Sequence, residues 1–233
     1  MSRRGGDLVR ELETRFVTTI VDVDVANKAL SILKPRNSDD LISEADYVRD
    51  ERLPYWADVW PSSLILARRM ANDAGNGRSL LELGCGLGVV SVTAMRAGFQ
   101  VLASDYYDDA LLFTRANAWR NLRREPDVRM IDWRAPPSDL GTYDTIVAAD
   151  VLYEMPYAEL VADILASSLS PRGVAIVADP GRVAAERFVE ACHARGLTRV
   201  DRDTYPFVEG SIRQKITLFS IRRVGGRKGG ISR

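Results

Sequence analysis

The chain is poor in the residues that metal and nucleophile chemistry usually require. It has one histidine, His193, and two cysteines, Cys85 and Cys192, among 233 residues. That count leaves no Cys/His zinc cluster, no disulfide framework, and little basis for a histidine-driven hydrolase. No metal site is expected. Long apolar runs are missing as well. VAIVA at 174–178 is among the longest, far short of the ~20 residues that span a bilayer. The opening MSRRGGDLVRELETRF has no apolar h-region, so no secretory signal is expected and a cytoplasmic setting is the default. Excess charge is also absent, because Lys+Arg and Asp+Glu both count 32. No global field recruits nucleic acid or an anionic membrane. Arg115, Arg120, Arg123, Arg124, Arg129 and Arg134 form a basic stretch, but Glu125, Asp127 and Asp132 interrupt it. It reads as a solvated face. A monomer or weak dimer is expected.

What is present alternates regularly. From Pro61 onward, helical and strand-like patterns take turns: helix 62–73 (Ser62 or Ser63 as N-cap), strand 79–83, helix 88–97, strand 100–104, helix 108–120, strand 127–131. Strand 143–149, helix 156–168, strand 173–178 and helix 182–195 follow, then two β-type segments at 197–204 and 212–222. Strands alternating with helices mean βαβ units and a parallel sheet. The expected fold is α/β, a three-layer α-β-α sandwich with a Rossmann-like, seven-stranded, mostly parallel sheet and an antiparallel edge strand. Residues 1–50 read as an N-terminal extension packing on a domain at 51–223, with a helix at 7–16, a β-rich 16–25 and a polar loop at 35–52. The glycine-rich basic 224–233 reads as a disordered tail.

The most informative stretch is SLLELGCGLGVV at 79–90. A short apolar strand ends near Glu82, and Gly84, Gly86 and Gly88 follow at alternate positions before a helix. A glycine turn lets a ligand approach the backbone, and a helix start aims N–H groups at it. The spacing G-x-G-x-G departs from the dinucleotide fingerprint G-x-G-x-x-G. Glu82 suits an amine-bearing or cationic ligand and is poor beside a pyrophosphate. Asp105, beside Tyr106, closes the next strand and can accept two ribose hydroxyls. Asp105 or Asp108 would equally cap the following helix. Asp132 offers an acceptor for an exocyclic amine and Trp133 a flat face, which together suit adenine. Trp133 would also serve as packing. Cys85 reads as a small residue that fits the turn.

The pattern E-x-G-x-G-x-G at Glu82–Gly88 resembles the first motif of class I S-adenosylmethionine methyltransferases. Three further stretches narrow the resemblance: LPYWADVWPSSLILARRM at 53–70, AADVLYE at 148–154 and ADPGRVAAERF at 178–188. Together they look like the seven-β-strand protein-lysine methyltransferases of methyltransferase family 16. Within that group they look most like the lysine methyltransferases of electron-transfer flavoprotein β-subunit and their bacterial relatives. The resemblance runs from Leu53 to Glu190 and implies S-adenosylmethionine as cofactor. It implies Trp60 beside the methionine part, Gly84, Cys85 and Gly86 in the glycine loop, Asp105 at the ribose and Trp133 at adenine; Glu82, Gly88, Tyr106 and Asp132 are expected beside them as cofactor-binding residues. Ala149 matches the small residue before the D-x-x-Y motif, and Asp150 and Tyr153 are the motif itself, the implied catalytic pair.

Methyl transfer from a sulfonium needs alignment and water exclusion more than acid–base machinery. Asp150 is expected to hold a lysine amine and Tyr153 to wall the channel, although Asp150 would also serve as a loop-fixing acid. Tyr55, Trp56 and Trp60 are expected at the pocket mouth or as a hydrophobic staple for the helix at 62–73. Arg182, after the fifth strand, is expected either to engage an acidic patch on a protein substrate or to punctuate a helix start. His193 is expected to be exposed late in its helix. The leading expectation is N-methylation of a protein lysine. The alternatives are N-methylation of a small nicotinamide-like amine, a non-catalytic S-adenosylmethionine-binding module and, more remotely, an NAD-dependent oxidoreductase.

Overall fold

In the computed structural model, which describes residues 5–41 and 54–223, the period-2 apolar pattern of the strands feeds two separate cores. The elements are α1 (Gly5–Arg15), β1 (Thr18–Val25), β2 (Lys28–Pro35), α2 (Pro61–Ala71), β3 (Ser79–Leu83), α3 (Val89–Arg96), β4 (Gln100–Asp105) and α4 (Asp108–Leu122). They continue with β5 (Asp127–Met130), β6 (Tyr143–Ala149), α5 (Met155–Ser168), β7 (Leu169–Asp179), α6 (Ala185–Ala194), β8 (Arg199–Glu209) and β9 (Ile212–Arg222). Strands β3 to β9 form one sheet in the order β5-β4-β3-β6-β7-β9-β8. Along β3, Leu80 faces one core, where α2, α3 and α4 pack. Leu81 and Leu83 face the other, where α5 and α6 pack. The expected three-layer sandwich is therefore present.

The first five strands of that order run parallel, and β9 is antiparallel to both β7 and β8. The reversed strand is β9, second from the edge, and β8 is the edge itself. Burial explains the order. β9 contributes Ile216, Leu218, Phe219 and Ile221 to the core, while β8 buries Phe207 alone. Pro206 sits in β8, where an edge strand tolerates a missing N–H.

The chain runs from β3 outward to β4 and β5, then crosses back to place β6 and β7 on the other side of β3. Loops leaving the carboxyl ends of β3 and β6 therefore diverge, and a crevice opens between them.

Residues 5–35 form a helix and a two-stranded sheet of their own. Strand β2 was not foreseen, because the turn before it lacks the usual glycine. Ala26 (φ 53°) and Asn27 (φ 61°) take the left-handed conformations of a two-residue hairpin turn without it. The hairpin is stitched to α4. Asn117 accepts from the Leu33 N–H at 2.7 Å and donates to the Leu33 and Leu87 carbonyls, both at 2.9 Å. One buried amide thus ties the N-terminal hairpin to the glycine turn. Residues 42–53, most of the expected polar loop, and the expected tail 224–233 lie outside the described residues.

Other corrections are local. Neither Ser62 nor Ser63 caps α2; Trp60 occupies the N-cap position and Pro61 starts the helix. Asp108 sits in the first turn of α4, after the N-cap Tyr107. Helix α6 begins at Ala185, not at 182, because Asp179–Arg182 folds as a turn held by the Asp179 carboxylate. His193 is exposed in the last turn of α6, as expected.

Candidate active site

A cleft of about 400 Å3 lies at the carboxyl edge of the sheet. Its walls include Trp60, Glu82, Gly84, Cys85, Gly86, Asp105, Tyr106, Asp132, Trp133, Ala149, Asp150 and Tyr153. These come from five separate stretches of the chain. Gly88 is the exception. It starts α3 at φ 80°, and a side chain there would meet Thr114 Oγ1 at 2.8 Å. Its glycine is needed for packing against α4, not for the cleft wall. Gly86 does border the cleft, with φ 51°, and a Cβ there would come within 3.0 Å of the Trp56 carbonyl.

The glycine turn is not a rack of free N–H donors. Cys85 N–H donates to the Ser104 carbonyl at 2.9 Å, Gly86 N–H to Asp105 Oδ2 at 2.9 Å, and Gly88 N–H to the Cys85 carbonyl at 2.7 Å. Of three amides expected to serve a ligand, two instead hold the turn onto β4 and the third closes the turn on itself. Asp105 also accepts the Tyr107 N–H at 3.1 Å, so it fixes the loop and lines the cleft at once. Burial raises its pKa.

Glu82 is 2% exposed, accepts a short hydrogen bond from Ser91 Oγ, and borders the cleft. Burial pushes its pKa up to about 8. Bringing a cation beside it favours the ionised form. With its acids at the cleft and three of its amides bonded within the protein, this half suits a cationic ligand better than a phosphate.

Trp133 packs edge-on against Tyr157, with ring centroids 5.5 Å apart, and its buried indole N–H has no hydrogen-bond partner among the described residues. Asp132 holds Arg134 through both carboxylate oxygens, at 2.8–3.2 Å, so the expected acceptor is already engaged.

The other end of the cleft is built around Asp150. This residue sits at φ 58°, a conformation L residues seldom adopt, and its N–H donates to the Ala178 carbonyl of β7 at 2.9 Å. Oδ1 accepts from Arg182 Nε at 2.9 Å and Nη2 at 2.7 Å, and Oδ2 accepts from Ser62 Oγ at 3.2 Å. Arg182, expected either to engage a protein substrate or to punctuate a helix start, is paired with Asp150. Aromatic rings continue the wall. Tyr55 contacts Trp60 (6.0 Å between centroids) and Tyr153 (5.6 Å), and Tyr153 contacts Tyr157 (4.7 Å). Tyr157 was missed from the sequence. It lies in the first turn of α5, while Tyr153 precedes that helix, so no helical spacing links the two in the sequence. Tyr55, Trp56 and Trp60 all border the cleft, and the indole N–H of Trp60 donates to the Tyr55 carbonyl at 2.8 Å.

Half of the basic stretch is paired internally: Arg115 with Glu125, Arg129 with Asp139 and Arg134 with Asp132.

A family model described as a methyltransferase domain matches residues 61–224. This chain belongs to that methyltransferase family. Among curated relatives, the electron transfer flavoprotein beta subunit lysine methyltransferase of Xenopus laevis is 31% identical over 136 residues, covering 55% of this chain and 53% of that protein. The protein N-lysine methyltransferase METTL21A of Xenopus tropicalis is 32% identical over 103 residues, covering 42% and 47%. The chain thus spans about half the length of the curated relatives it matches. The crystal structure of magnesium protoporphyrin IX methyltransferase from Synechocystis PCC 6803 with bound SAM superposes with a TM-score of 0.57 at 18% identity, over 79% of this chain and 94% of that one. At that identity the likeness concerns the fold alone. Within the methyltransferase fold, the residues present here fit S-adenosylmethionine. The buried Glu82 and Asp105 suit its cationic and hydroxyl-bearing parts, and Trp133 offers a ring face for its base.

Proposed function

We propose that this methyltransferase transfers a methyl group from S-adenosylmethionine to the side-chain amine of a lysine in a protein substrate. The observation that carries this reading is the acceptor end of the cleft, where the Asp150 carboxylate and the rings of Tyr55, Trp60 and Tyr153 line one wall. A carboxylate beside aromatic rings recognises an ammonium and orients the amine that remains when its proton leaves. The names of the curated relatives, lysine methyltransferases, support the same acceptor.

S-adenosylmethionine supplies a methyl group already activated by its sulfonium, so no acid must assist the leaving group. Glu82, Asp105, Trp60 and Trp133 would hold it, with Tyr106 beside the ribose acid. Asp150 orients the amine, Tyr153 and Tyr55 exclude water around it, and Ala149 leaves room at the meeting point. A lysine amine has an ordinary pKa of about 10.4, so it must shed a proton to water before attack. A partly dehydrated aromatic pocket favours the uncharged form.

The test is radiolabelled methyl transfer by the purified protein, offered electron-transfer flavoprotein β-subunit and a cell extract resolved into protein and small-molecule fractions. Label in protein lysine, lost in Asp150→Ala, is the expected result. Label confined to small molecules overturns the protein acceptor. Calorimetry that detects NAD but not S-adenosylmethionine overturns the cofactor.

A further inference from the structure

Asp150 is held by two side chains, Ser62 and Arg182, to which the resemblance assigns no role at the site. Ser62 comes from the first turn of α2 and is fully buried. Arg182 comes from the turn after β7, and that turn has its own anchor. Asp179 Oδ1 accepts both the Gly181 and the Arg182 N–H, each at 2.7 Å. The Asp179 side chain is fully buried. The anchor therefore sets the starting direction of the Arg182 side chain. Its guanidinium then spans to the end of β6, with two of its N–H groups on a single oxygen of Asp150.

The arrangement answers a conflict in the chemistry. The amine lone pair forms the N–C bond as the S–C bond breaks with its electrons on sulfur, so the attacking amine must be uncharged. A bare carboxylate at hydrogen-bond distance does the opposite. It stabilises the ammonium, because opposite charges a few ångströms apart attract more strongly near a protein surface than in bulk water. We infer that Arg182 is a positioning residue that offsets the charge of Asp150, so that Asp150 can orient the acceptor amine without holding it protonated. This inference rests on the lysine reading above. Arg182 is 39% exposed and Asp150 7%. Solvent therefore screens the guanidinium, and the expected effect is about one pKa unit rather than three.

Other ionisable groups face the same space. After β6 there are Tyr153 and Glu154, and after β7 Asp179. Upstream there are Tyr55 and Asp58, the latter paired with Lys34. Glu82, on β3, titrates in the same window. All of them are present in both wild type and an Arg182 variant, so a difference between the two profiles isolates the guanidinium.

The experiment measures kcat/KM from pH 6.5 to 10.5, using the acceptor protein labelled in the assay above, for wild type, Arg182→Met, Arg182→Lys and Asp150→Asn/Arg182→Met. In Arg182→Met the rising limb should move up by about one unit, giving a roughly tenfold loss at pH 7.5 that closes above pH 10. Arg182→Lys should restore most of the wild-type limb. The double variant, which has no carboxylate charge left to offset, should return the limb toward wild type at a lower plateau. S-adenosylmethionine affinity and thermal midpoint, read separately, should barely change in Arg182→Met. A uniform loss at all pH values, or coincident profiles, overturns the inference while leaving the lysine reading intact. A wild type that labels no protein lysine at any pH sinks the lysine reading instead.

Discussion

Around Gly84–Gly88 the cleft is shaped by backbone. Left-handed glycines, three internally bonded amides and two buried acids fix its form with almost no freedom left to side chains. Around Asp150 the cleft is shaped by side chains. Arg182, Ser62 and a row of aromatic rings reach it from three places in the chain. The contrast is physical. A cofactor of constant shape can be met by a rigid loop, whereas the lysine acceptor proposed above would have to enter, lose a proton and leave. Rotatable groups in compensated charge pairs suit that task. The two halves should therefore fail separately when mutated.

The largest expected separation comes from Asp150→Ala. Methyl transfer should fall by about 100-fold or more, the range for losing a group positioned at the reacting atom, while S-adenosylmethionine affinity by calorimetry stays within about twofold. Matching losses in both would erase the distinction between the halves. Gly86→Val should do the reverse. Forcing a branched side chain to φ 51° against the Trp56 carbonyl costs about 1–3 kcal/mol and should weaken S-adenosylmethionine binding by about 30-fold.

Glu82→Gln sharpens the picture of the cofactor half. Burial lifts Glu82 from 4.5 to about 8. The folded chain thus holds a proton that the unfolded chain releases, and the stability of the ligand-free protein must fall as pH rises between those values. Urea unfolding from pH 5 to 8.5 should show that decline in wild type and a flatter profile in Glu82→Gln. The same variant should bind S-adenosylmethionine about tenfold more weakly, by about 1.4 kcal/mol, because the carboxylate is lost. A parallel pH decline in the variant would remove Glu82 as its source. The smallest effect is expected from Tyr157→Leu. It shortens the aromatic row without touching Asp150, and should raise the acceptor KM about two- to fivefold with little change in kcat.

The legibility of the chain divides along the same line. The helix–strand alternation from Pro61 onward, the sheet and the glycine turn were readable because each depends on local period and on residues adjacent in sequence. Strand β2 was not, because its turn uses Ala26 and Asn27 rather than glycine and its partner for burial is α4, more than eighty residues away. Gly88 was read as part of the cradle, yet its glycine answers Thr114, a contact no spacing rule reveals. Ser62 looked like a helix cap and is instead a ligand of the Asp150 carboxylate.

By itself, the sequence determined the class of fold and the character of the cofactor cradle. Alternating apolar patterns and a glycine turn preceded by Glu82 are local signals whose physical meaning does not depend on the rest of the molecule. Only the tertiary structure decided what surrounds the acceptor. Asp150, Arg182 and the 55–62 segment lie far apart along the chain, and the sheet crossover at β3 and β6 brings them to one edge. Charge compensation acts through distance in space, and the sequence does not record that distance.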